Sequence, residues 1–417
     1  MSTAASVGSA LDELATAAGG SAVEAGEGDA VAGVRPSWVA TPGSTEEAAA
    51  VLRVAAARGL RVVVRGRGTA LHWGVPPRGV DLVVGTDRLD QVVEHVAGDL
   101  VCVVDAGTTI DALNAEVGQH GQQLALDQPV PGSSVAGAMA TTRSGPRRLL
   151  YGTPRDLVLG ITMVRPDGVI AKAGGKVVKN VAGYDIAKLL GGAYGTLGLV
   201  TRMVVRLHPL PPESRWMRST LPLPAAASAA LALTGSQLAP SAVEVRRQAG
   251  ADEADVLVLL EGTRRGVDAR SEAAAEQLGQ GAQAADVATA DLARIDAEPA
   301  DVVVKVAVPL TGVTAVLAAA RDVEQRHQVN CRVQGSAGAG VLMVVLSGGS
   351  ADDTGAAVEQ LRSAATGGSA VVLQAPDDVR EQVDSWGPVG GLDLMRRVKD
   401  EFDPDHRFAP GRFVGGI

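Results

Sequence analysis

The chain of 417 residues contains only two cysteines, and this scarcity limits the chemistry that it can perform alone. Cys102 lies between two valines and Cys331 lies two residues before Val333, surroundings that are typical of structural cysteines. An ordinary iron–sulfur cluster needs four thiolates, so this chain cannot hold one by itself. The six histidines never fall three or four residues apart, so no helical metal-binding pair is expected. We therefore predict no metal site.

Aromatic residues and basic clusters are also scarce. Aromatics make up 2% of the chain, so valine, leucine and alanine must fill the core. The formal net charge is −9 and the sequence has no basic stripe. Proteins that bind nucleic acid need clustered Lys and Arg to release counterions, so nucleic acid is not an expected partner.

No apolar run is long enough to predict a transmembrane segment. The weakly charged stretch at 221–243 is interrupted by three prolines and Gly235, which disfavours a spanning helix. The N-terminus has no Lys or Arg before Arg35, unlike a secretory signal. These features predict a cytoplasmic protein, or one that partner subunits bring to the inner face of the membrane.

The length exceeds that of a single hydrophobic core, so we expect more than one domain. We predict a short helix followed by a mobile segment at 1–34. A first domain at 35–212 ends in a proline cluster, a second domain covers 213–375, and residues 376–417 form a C-terminal segment.

The first domain begins with a clear helix–strand unit. Ser44 or Thr45 caps a helix whose first turn carries Glu46 and Glu47, where the helix dipole favours acids. A strand at 60–64 follows this helix. Further predicted elements are strands at 80–84, 91–96 and 100–105, a helix at 109–120, a hairpin that turns at 166–168, and a long strand before the prolines.

The second domain repeats a simple pattern of strands and helices. Its predicted strands lie at 217–221, 241–247, 255–261, 302–308, 329–334, 341–346 and 370–374, and its predicted helices at 224–234, 264–279, 312–327 and 351–365. This order predicts an α+β fold with one antiparallel sheet that helices cover on one face. The Ala- and Asp-rich stretch at 279–299 is expected to be a loose connection.

The glycines of "RGRGTALHWG" at 65–74 follow the 60–64 strand directly. Gly66 and Gly68 match the start of the dinucleotide fingerprint Gly-x-Gly-x-x-Gly, but Leu71 replaces the third glycine. Gly74 and two following prolines prevent a helix there. The stretch therefore predicts a turn rich in main-chain N–H groups. A single turn of this kind is structural in most proteins.

Two further stretches of small residues change that interpretation. "PVPGSSVAGAMATTRSGPRRLLYG" at 129–152 leads into a helix of small residues at 135–142, beside which Ser133 and Ser134 suit a phosphate. A third stretch occupies 176–201. Three such turns at strand ends predict that several loops bind one long ligand that carries phosphate, such as a flavin dinucleotide.

These segments resemble the FAD-binding domain of the vanillyl-alcohol oxidase and p-cresol methylhydroxylase (PCMH) family over about 36–212. The resemblance rests on "RGRGTALHWG", "PGSSVAGAMATTRSGPRR" with "YGTPRDLVLG", and "VKNVAGYDIAKLLGGAYGTLGLVTRM". The C-terminal "FDPDHRFAPGR" resembles the segment that returns to the FAD domain. Within the family, "GPRR" followed by "KNVAGYD" is most similar to the FAD-binding subunit of bacterial glycolate oxidases. The resemblance implies a two-subdomain FAD-binding domain and a cap domain.

The resemblance also implies a set of cofactor-binding residues. The pyrophosphate would be held by Arg65, Gly66, Arg67, Gly68 and Thr69, and the flavin and pyrophosphate would be lined from the other side by Pro131, Gly132, Ser133 and Ser134. The ribityl chain or flavin ring would meet Gly137, Thr141 and Thr142, and the same wall would contain Gly145, Tyr151, Gly152 and Asp156. Gly198 and Val200 would meet the adenine end, and Arg412 would reach the edge of the flavin ring.

The resemblance predicts noncovalent FAD. Some family members attach the flavin to a histidine directly after the paired glycines, where this chain has Thr69. His72 lies three residues further on, and it is more typical of a residue that packs the loop than of a flavin ligand.

The sequence assigns no catalytic base. Oxidation of a 2-hydroxy acid needs an anchor for the carboxylate and a base for the hydroxyl proton. Similar family members carry a histidine cluster with a metal in the cap, whereas the cap of this chain has only His327, which a solvated helix face would explain. Residues that could anchor an anion, or simply tie down polar loops, are Arg143, Arg147, Arg148, Lys179 and Asn180.

The first functional hypothesis is an FAD-binding subunit of a 2-hydroxy-acid dehydrogenase of the glycolate or lactate type. The resemblance implies a small 2-hydroxy acid as substrate, with a second flavin subunit and an iron–sulfur subunit as partners. The alternatives are a stand-alone FAD-dependent oxidase or dehydrogenase of an alcohol or hydroxy acid, and a noncatalytic scaffold that has lost the cofactor.

Overall fold

The computed structural model describes residues 2–128, 130–176 and 186–417, with side chains from Ala10 onward in those ranges. The "KNVAGYD" motif, with Lys179, Asn180, Tyr184 and Asp185, lies outside the described residues.

The strands of the first half are β1 (Ala22–Glu24), β2 (Trp38–Ala40), β3 (Val62–Arg65), β4 (Leu82–Gly85), β5 (Val92–Val96), β6 (Val101–Asp105), β7 (Gln122–Gln123), β8 (Val158–Val164), β9 (Ile170–Gly174), β10 (Leu199–Arg206) and β11 (His208–Pro209). Its α-helices are α1 (Ser2–Ala17), α2 (Thr45–Ala57), α3 (Ile110–Gly118), α4 (Val135–Ala140), α5 (Arg148–Tyr151), α6 (Pro154–Leu157) and α7 (Ile186–Leu190).

Two larger sheets and the two-stranded pair of β7 and β11 build the described part of the first half. The first has the order β1-β2-β4-β3, in which β2 and β3 run parallel to β4. The second is antiparallel and has the order β5-β6-β10-β8-β9. Helix α2 begins as predicted, because the Ser44 hydroxyl accepts a hydrogen bond from the main-chain N–H of Glu47. The 109–120 helix likewise starts at its Thr109 cap.

The second half contains the large predicted sheet. Its strands are β12 (Glu213–Pro222), β13 (Ala242–Arg247), β14 (Glu253–Gly262), β15 (Gln283–Ala285), β16 (Val302–Ala307), β17 (Asn330–Ser336), β18 (Val341–Ser347) and β19 (Ser369–Gln374). The helices are α8 (Leu223–Thr234), α9 (Arg264–Leu278), α10 (Thr289–Ala293), α11 (Val313–His327), α12 (Ala351–Ala364), α13 (Asp377–Arg380) and α14 (Leu392–Phe402). The sheet is antiparallel with the order β15-β12-β14-β13-β17-β18-β16-β19. Helices α8, α9, α11 and α12 pack on one face around a valine- and leucine-rich core, which confirms the predicted fold class.

The 279–299 connection is more ordered than the sequence predicted. Strand β15 extends the edge of the sheet by pairing with β12, where Ala285 lies opposite Trp216. The indole N–H of Trp216 donates to the Thr289 hydroxyl, 3.3 Å away, at the start of α10. A strand of three residues is too short to be recognised from alternating apolar and polar residues. The segment is ordered because β15 pairs with the edge of β12.

The two halves meet on the face of the large sheet that α8, α9, α11 and α12 leave uncovered. Trp73 is buried against Val303, Val345 and Leu373 of this face, and the N–H of Gly74 donates to the Leu373 carbonyl at 3.1 Å. The loop that follows β3 is therefore held between the sheets of the first half and the large sheet of the second half, which we call the cap sheet.

The C-terminal segment returns to the first sheet. Phe408 pairs with Val62 at the free edge of β3, through hydrogen bonds of 2.8 and 2.7 Å. The buried ammonium group of Lys399 donates to the Asp403 carboxylate at 2.7 Å and to the main-chain carbonyls of Thr196 and Phe408. Within residues 2–128, 130–176 and 186–417, no helix combines the length and the hydropathy that a transmembrane segment requires.

Candidate functional site

A cavity of about 100 Å³ lies where the loop after β3, the helix α4 and the start of β10 come together. It is lined by Val64, Gly66, Arg67, Gly68, Thr69, Ala70, Leu71, Thr86, Ser134, Ala136, Gly137, Ala140, Thr141, Arg143, Tyr194, Gly195, Gly198, Val200 and Arg412. Most of these side chains are small, so a bound group can approach the main chain closely.

The loop at 66–69 presents its main chain to this cavity. Gly68 has a φ of +75°, a conformation that glycine adopts without strain. A side chain at Gly66 would place its Cβ 2.4 Å from the Ser134 hydroxyl oxygen, so only glycine fits beside α4. Among the described residues, the main-chain N–H groups of Arg67, Gly68 and Thr69 donate to no protein acceptor. They remain free to bind an anionic ligand.

Arg143 fixes this loop from the opposite wall. One terminal nitrogen of its guanidinium donates to the Thr69 hydroxyl at 2.6 Å and to the Ser133 hydroxyl at 2.9 Å. The other donates to the Thr69 carbonyl, and the guanidinium carbon lies 5.1 Å from the centre of the Trp73 ring. Arg143 is only 4% exposed, so its position is fixed by these contacts.

Arg412 plays a similar part from the C-terminal segment. It is also 4% exposed, and one terminal nitrogen donates to the carbonyls of Leu71 and Trp73 at 2.8 and 2.7 Å. Arg412 therefore holds the later part of the same loop. Residues more than 300 positions apart in sequence thus build one wall of the cavity.

The two arginines give the cavity a positive charge inside an acidic protein. In the described parts of the chain, neither Arg143 nor Arg412 forms an ion pair with a carboxylate, and the Nε atoms of both have no hydrogen-bond partner. Burial lowers the pKa of each guanidinium to about 10, so both remain charged at neutral pH. A buried cation is costly without a counter-charge, so an anionic ligand would stabilise this site.

Tyr194 closes the cavity beside Arg412. Its ring packs against Trp386 and Phe413, with ring centres 5.3 and 5.6 Å apart. Burial raises the pKa of its phenol to about 12, so the hydroxyl stays neutral. Three aromatic rings, those of Tyr194, Trp386 and Phe413, therefore pack together beside the cavity.

The structure brings many of the residues named from the sequence to this cavity. Those that line it are Gly66, Arg67, Gly68, Thr69, Ser134, Gly137, Thr141, Gly198, Val200 and Arg412. The sequence analysis did not name Thr86 or Tyr194, and it treated Arg143 only as a general anion anchor. Thr86 follows the short strand β4, and its buried hydroxyl is without a partner among the described residues. A polar residue at a strand end was the only signal that could have identified it.

A second group lies beside the cavity without lining it. The Arg65 side chain turns away and donates to Asp29 at 2.6 Å. The Ser133 hydroxyl donates to the Val130 carbonyl at 2.6 Å, which fixes the turn that contains Pro131 and Gly132. Thr142 ends α4 in a left-handed conformation with a φ of +49°. These residues fix the turns that carry the cavity-lining residues.

A third group lies elsewhere. Gly145 lines a separate pocket beneath the cap sheet. The Tyr151 hydroxyl donates to the Glu261 carboxylate of β14 at 2.9 Å, so this side chain faces the cap. Asp156 accepts from the main-chain N–H and the hydroxyl of Thr153, and Gly152 lies against the Asp156 side chain. Tyr151 therefore lies at the junction with the large sheet, and neither it nor Gly152 nor Asp156 lines the cavity.

The histidines lie outside the cavity lining. The ring of His72 packs edge-on to Trp73, and burial together with Arg143, Arg380 and Arg412 lowers the pKa of His72. His327 lies on α11 and is within hydrogen-bond distance of Gln360. The described ranges contain no cluster of three His, Cys, Asp or Glu residues that could hold a metal ion.

Comparison with known proteins agrees with this geometry. Residues 36–174 match the family model described as "FAD binding domain", and residues 382–413 match "FAD linked oxidases, C-terminal domain". The first match contains β3, the 66–69 loop and α4. The second contains Arg412, Lys399 and the returning segment.

Two relatives and one solved structure show what the chain is similar to. It is 35% identical to the D-lactate dehydrogenase of Archaeoglobus fulgidus over 171 residues. The aligned residues make up 41% of this chain and 38% of that protein. It is 32% identical to the glycolate oxidase subunit GlcD of Bacillus subtilis over 212 residues. This alignment covers 50% of this chain and 45% of that protein. The 4-ethylphenol oxidase of Gulosibacter chungangensis shares the fold, with a TM-score of 0.71, 16% identity, and coverage of 98% of this chain and 97% of the other.

The chain spans less than half the length of these curated relatives. The match to the FAD-binding domain at 36–174 lies in the half of the molecule that contains the cavity, and the fold similarity to the 4-ethylphenol oxidase covers 98% of the chain. The matched segments supply the loop, the small helix and the returning arginine that build the site. Residues 36–174 of the chain are therefore similar to an FAD-binding domain, and residues 382–413 are similar to the C-terminal domain of FAD-linked oxidases.

Proposed function

We propose that this chain holds FAD noncovalently and is the FAD-binding subunit of a 2-hydroxy-acid dehydrogenase of the glycolate or lactate type. The observation that carries the proposal is the cavity with two buried guanidinium groups, Arg143 and Arg412, which lack a carboxylate partner among the described residues. Bound FAD would supply the hydride acceptor for oxidation of a CH–OH group.

Each part of the cavity suits one part of the cofactor. The free N–H groups of Arg67, Gly68 and Thr69 would bind the pyrophosphate. The buried charges of Arg143 and Arg412 would stabilise negative charge on the bound cofactor. Gly66 and Gly137 both line the cavity without a side chain, so a bound group would lie close to the main chain there.

The contacts of Thr69 support noncovalent binding. Thr69 occupies the place where a covalent histidine would be expected, and its hydroxyl is already engaged by Arg143. Among the described residues that line the cavity there is neither a histidine nor a cysteine to form a bond with the flavin.

The proposed substrate follows from the relatives. Their printed names describe a D-lactate dehydrogenase and a subunit of a glycolate oxidase, and both substrates are small 2-hydroxy acids. The word "subunit" in the second name supports a chain that works with partners, for which we propose a second flavin subunit and an iron–sulfur subunit.

Anaerobic reduction of the bound flavin tests this proposal. FAD-loaded protein is mixed with glycolate or D-lactate, alone and after co-expression with candidate partner subunits, while the visible absorbance of the flavin is followed. Acetate, which lacks the hydroxyl group, is the control ligand. Bleaching that requires the partners supports the proposal. Bleaching by the chain alone would favour a stand-alone dehydrogenase, and oxidised flavin in every mixture would contradict a 2-hydroxy acid as substrate.

A further inference from the structure

A second pocket lies between the loop at 144–148 and the uncovered face of the cap sheet. It is adjacent to the FAD cavity, because Arg143 lines that cavity whereas Ser144 and Gly145 line this pocket. The apolar part of its wall includes Leu292 and Met343. One short segment thus separates the two sites.

Two buried polar side chains face this pocket without a partner. Glu244 on β13 and Ser336 on β17 lie directly opposite each other across the sheet, and they are 3% and 4% exposed. In the described part of the chain, Oε1 of Glu244 and the Ser336 hydroxyl have no partner with good hydrogen-bond geometry, although the Ser336 hydroxyl is close enough to the Glu244 carboxyl to lower its pKa. Unsatisfied buried polar atoms are costly, so their presence on one pocket wall indicates a missing ligand.

Arg148 acts on Glu244, and a second cation, Lys305, lies near Arg148. Arg148, at the start of α5, lines the pocket and uses a terminal nitrogen to hold the Ser144 carbonyl at 2.7 Å. Lys305 on β16 lies close enough to Arg148 for the two charges to repel, and burial together with Arg148 lowers the pKa of Lys305 to about 8. Asp127 is the other charge that acts on Glu244.

Glu244 itself is mostly neutral at neutral pH. Burial raises the pKa of its carboxyl to about 8, although the charge of Arg148 acts in the opposite direction. A neutral carboxylic acid donates a hydrogen bond, as the Ser336 hydroxyl does. Arg148, Ser336 and protonated Glu244 therefore offer donors to the same small volume.

We propose that this pocket binds a small carboxylate, with Arg148 as the anchoring cation and with Glu244 and Ser336 as hydrogen-bond donors. The proposal rests on the proposed function, because it identifies this pocket as the place where the carboxylate of a 2-hydroxy acid is held. Glu244 and Arg148 are assigned to binding, and no proton-transfer step is assigned to them.

Charge and hydrogen bonding distinguish this ligand from the alternatives. A metal cation would meet Arg148 and would find no cluster of acidic ligands in the described ranges. A neutral amide would leave the charge of Arg148 uncompensated. An anion with two oxygens can accept from the guanidinium and from both hydroxyl-bearing groups at once.

Calorimetric titration of the FAD-loaded protein with oxalate tests the proposal. Oxalate has the two-carbon skeleton of glycolate and cannot donate a hydride, so binding is measured separately from turnover. Oxamide is the uncharged control. The variants are Arg148→Gln, Glu244→Gln, and Arg155→Gln as a matched exposed arginine. The FAD content of each variant reports whether it has folded.

We expect oxalate to bind and oxamide not to bind. Arg148→Gln should weaken binding by at least about tenfold, whereas Arg155→Gln should leave it unchanged. Ionised Glu244 would repel the anion, so wild-type affinity should fall about tenfold between about pH 7 and about pH 9. Glu244→Gln should retain binding and reduce this pH dependence, and the part that remains comes from Lys305, which loses its charge near pH 8.

Three results would overturn the proposal. The first is FAD-loaded wild-type protein that does not bind oxalate, and the second is equal affinity in wild type and Arg148→Gln. The third is a pH dependence that is as large in Glu244→Gln as in wild type. None of these results depends on whether FAD binds or whether the flavin is reduced, because those properties are measured separately. A failure of the carboxylate pocket is therefore distinct from a failure of the proposed function.

Discussion

Arg143 donates a hydrogen bond of 2.6 Å to the hydroxyl of Thr69, and this contact connects the two walls of the FAD cavity. The same guanidinium holds Ser133 and lies over the Trp73 ring, so it fixes the loop before any ligand arrives. A buried cation that also organises the surrounding loop gives the site both charge and rigidity.

Removal of the Arg143 charge should weaken FAD binding. Arg143→Gln loses charge-assisted hydrogen bonds that are worth about 1.5–3 kcal/mol, which corresponds to a roughly ten- to hundredfold higher Kd. Reconstitution of apoprotein with FAD, followed by flavin fluorescence, measures the effect. Arg206→Gln, at an exposed arginine of β10, is the control and should bind FAD as wild type does. Equal Kd values for Arg143→Gln and wild type would contradict the role given to Arg143.

A methyl group at position 66 should close the cavity. In Gly66→Ala the new Cβ would lie 2.4 Å from the Ser134 hydroxyl oxygen, so the loop or α4 must shift. We expect FAD affinity to fall by at least about tenfold, at a strain cost of roughly 1–3 kcal/mol. Flavin content after gel filtration reports the loss.

The contact with Ser134 provides an internal check. Gly66→Ala combined with Ser134→Ala removes the clashing oxygen and should recover part of the FAD binding, although loss of the helix cap costs about 1 kcal/mol. Gly118→Ala, which meets no neighbour within 4 Å, should behave as wild type. A double variant that binds no better than Gly66→Ala would show that the clash is not the cause.

Lys399 should contribute more to stability than an exposed cation on the same helix. Lys399→Met leaves the fully buried Asp403 without its ion-pair partner, a change that typically costs about 3–5 kcal/mol. Urea unfolding measures the free energy of unfolding. Arg396→Met, at a half-exposed position of α14, should change it by about 0.5 kcal/mol or less. Similar losses in both variants would argue against the Lys399–Asp403 pair as an anchor of the C-terminal segment.

The raised pKa of Glu244 predicts how stability changes with pH. Between the ordinary glutamate pKa of 4.5 and the folded value of about 8, the folded state holds a proton that the unfolded state releases. The stability that this group contributes is therefore complete below the lower value and is lost as the pH rises towards the higher one, by up to about 1.4 kcal/mol per pH unit.

Comparison with Glu244→Gln isolates this effect. The free energy of unfolding of wild type minus that of Glu244→Gln should fall as the pH rises from about 5 to about 8. The lowered pKa of Lys305 acts in the opposite direction and only above about 8, so it does not obscure this window. A difference that stays constant over the window would show that Glu244 is ionised in the folded protein.

The sequence predicted best those parts of the site that local chemistry determines. The turn at 66–69 and the capped helix α4 follow from glycine spacing and small residues, and the structure brings both to one cavity. The order of strands and helices in the cap was confirmed for the same reason, because apolar periodicity identifies each element locally.

The parts that the sequence could not predict depend on long-range contacts. Tyr151 follows the same glycine-rich stretch as Ser134, but its hydroxyl binds Glu261, which lies 110 residues away in the cap. The short strand β15 exists because β12 offers it an edge. Neither the direction of Tyr151 nor the pairing of β15 is encoded in a local pattern.

The absorption spectrum of the purified protein, before and after acid precipitation, tests the central claim most directly. Noncovalent FAD in the Arg143–Arg412 cavity predicts a yellow protein whose flavin appears entirely in the acid supernatant. A colourless protein that takes up no FAD would contradict cofactor binding at this cavity. Flavin that stays with the precipitated protein would contradict noncovalent attachment.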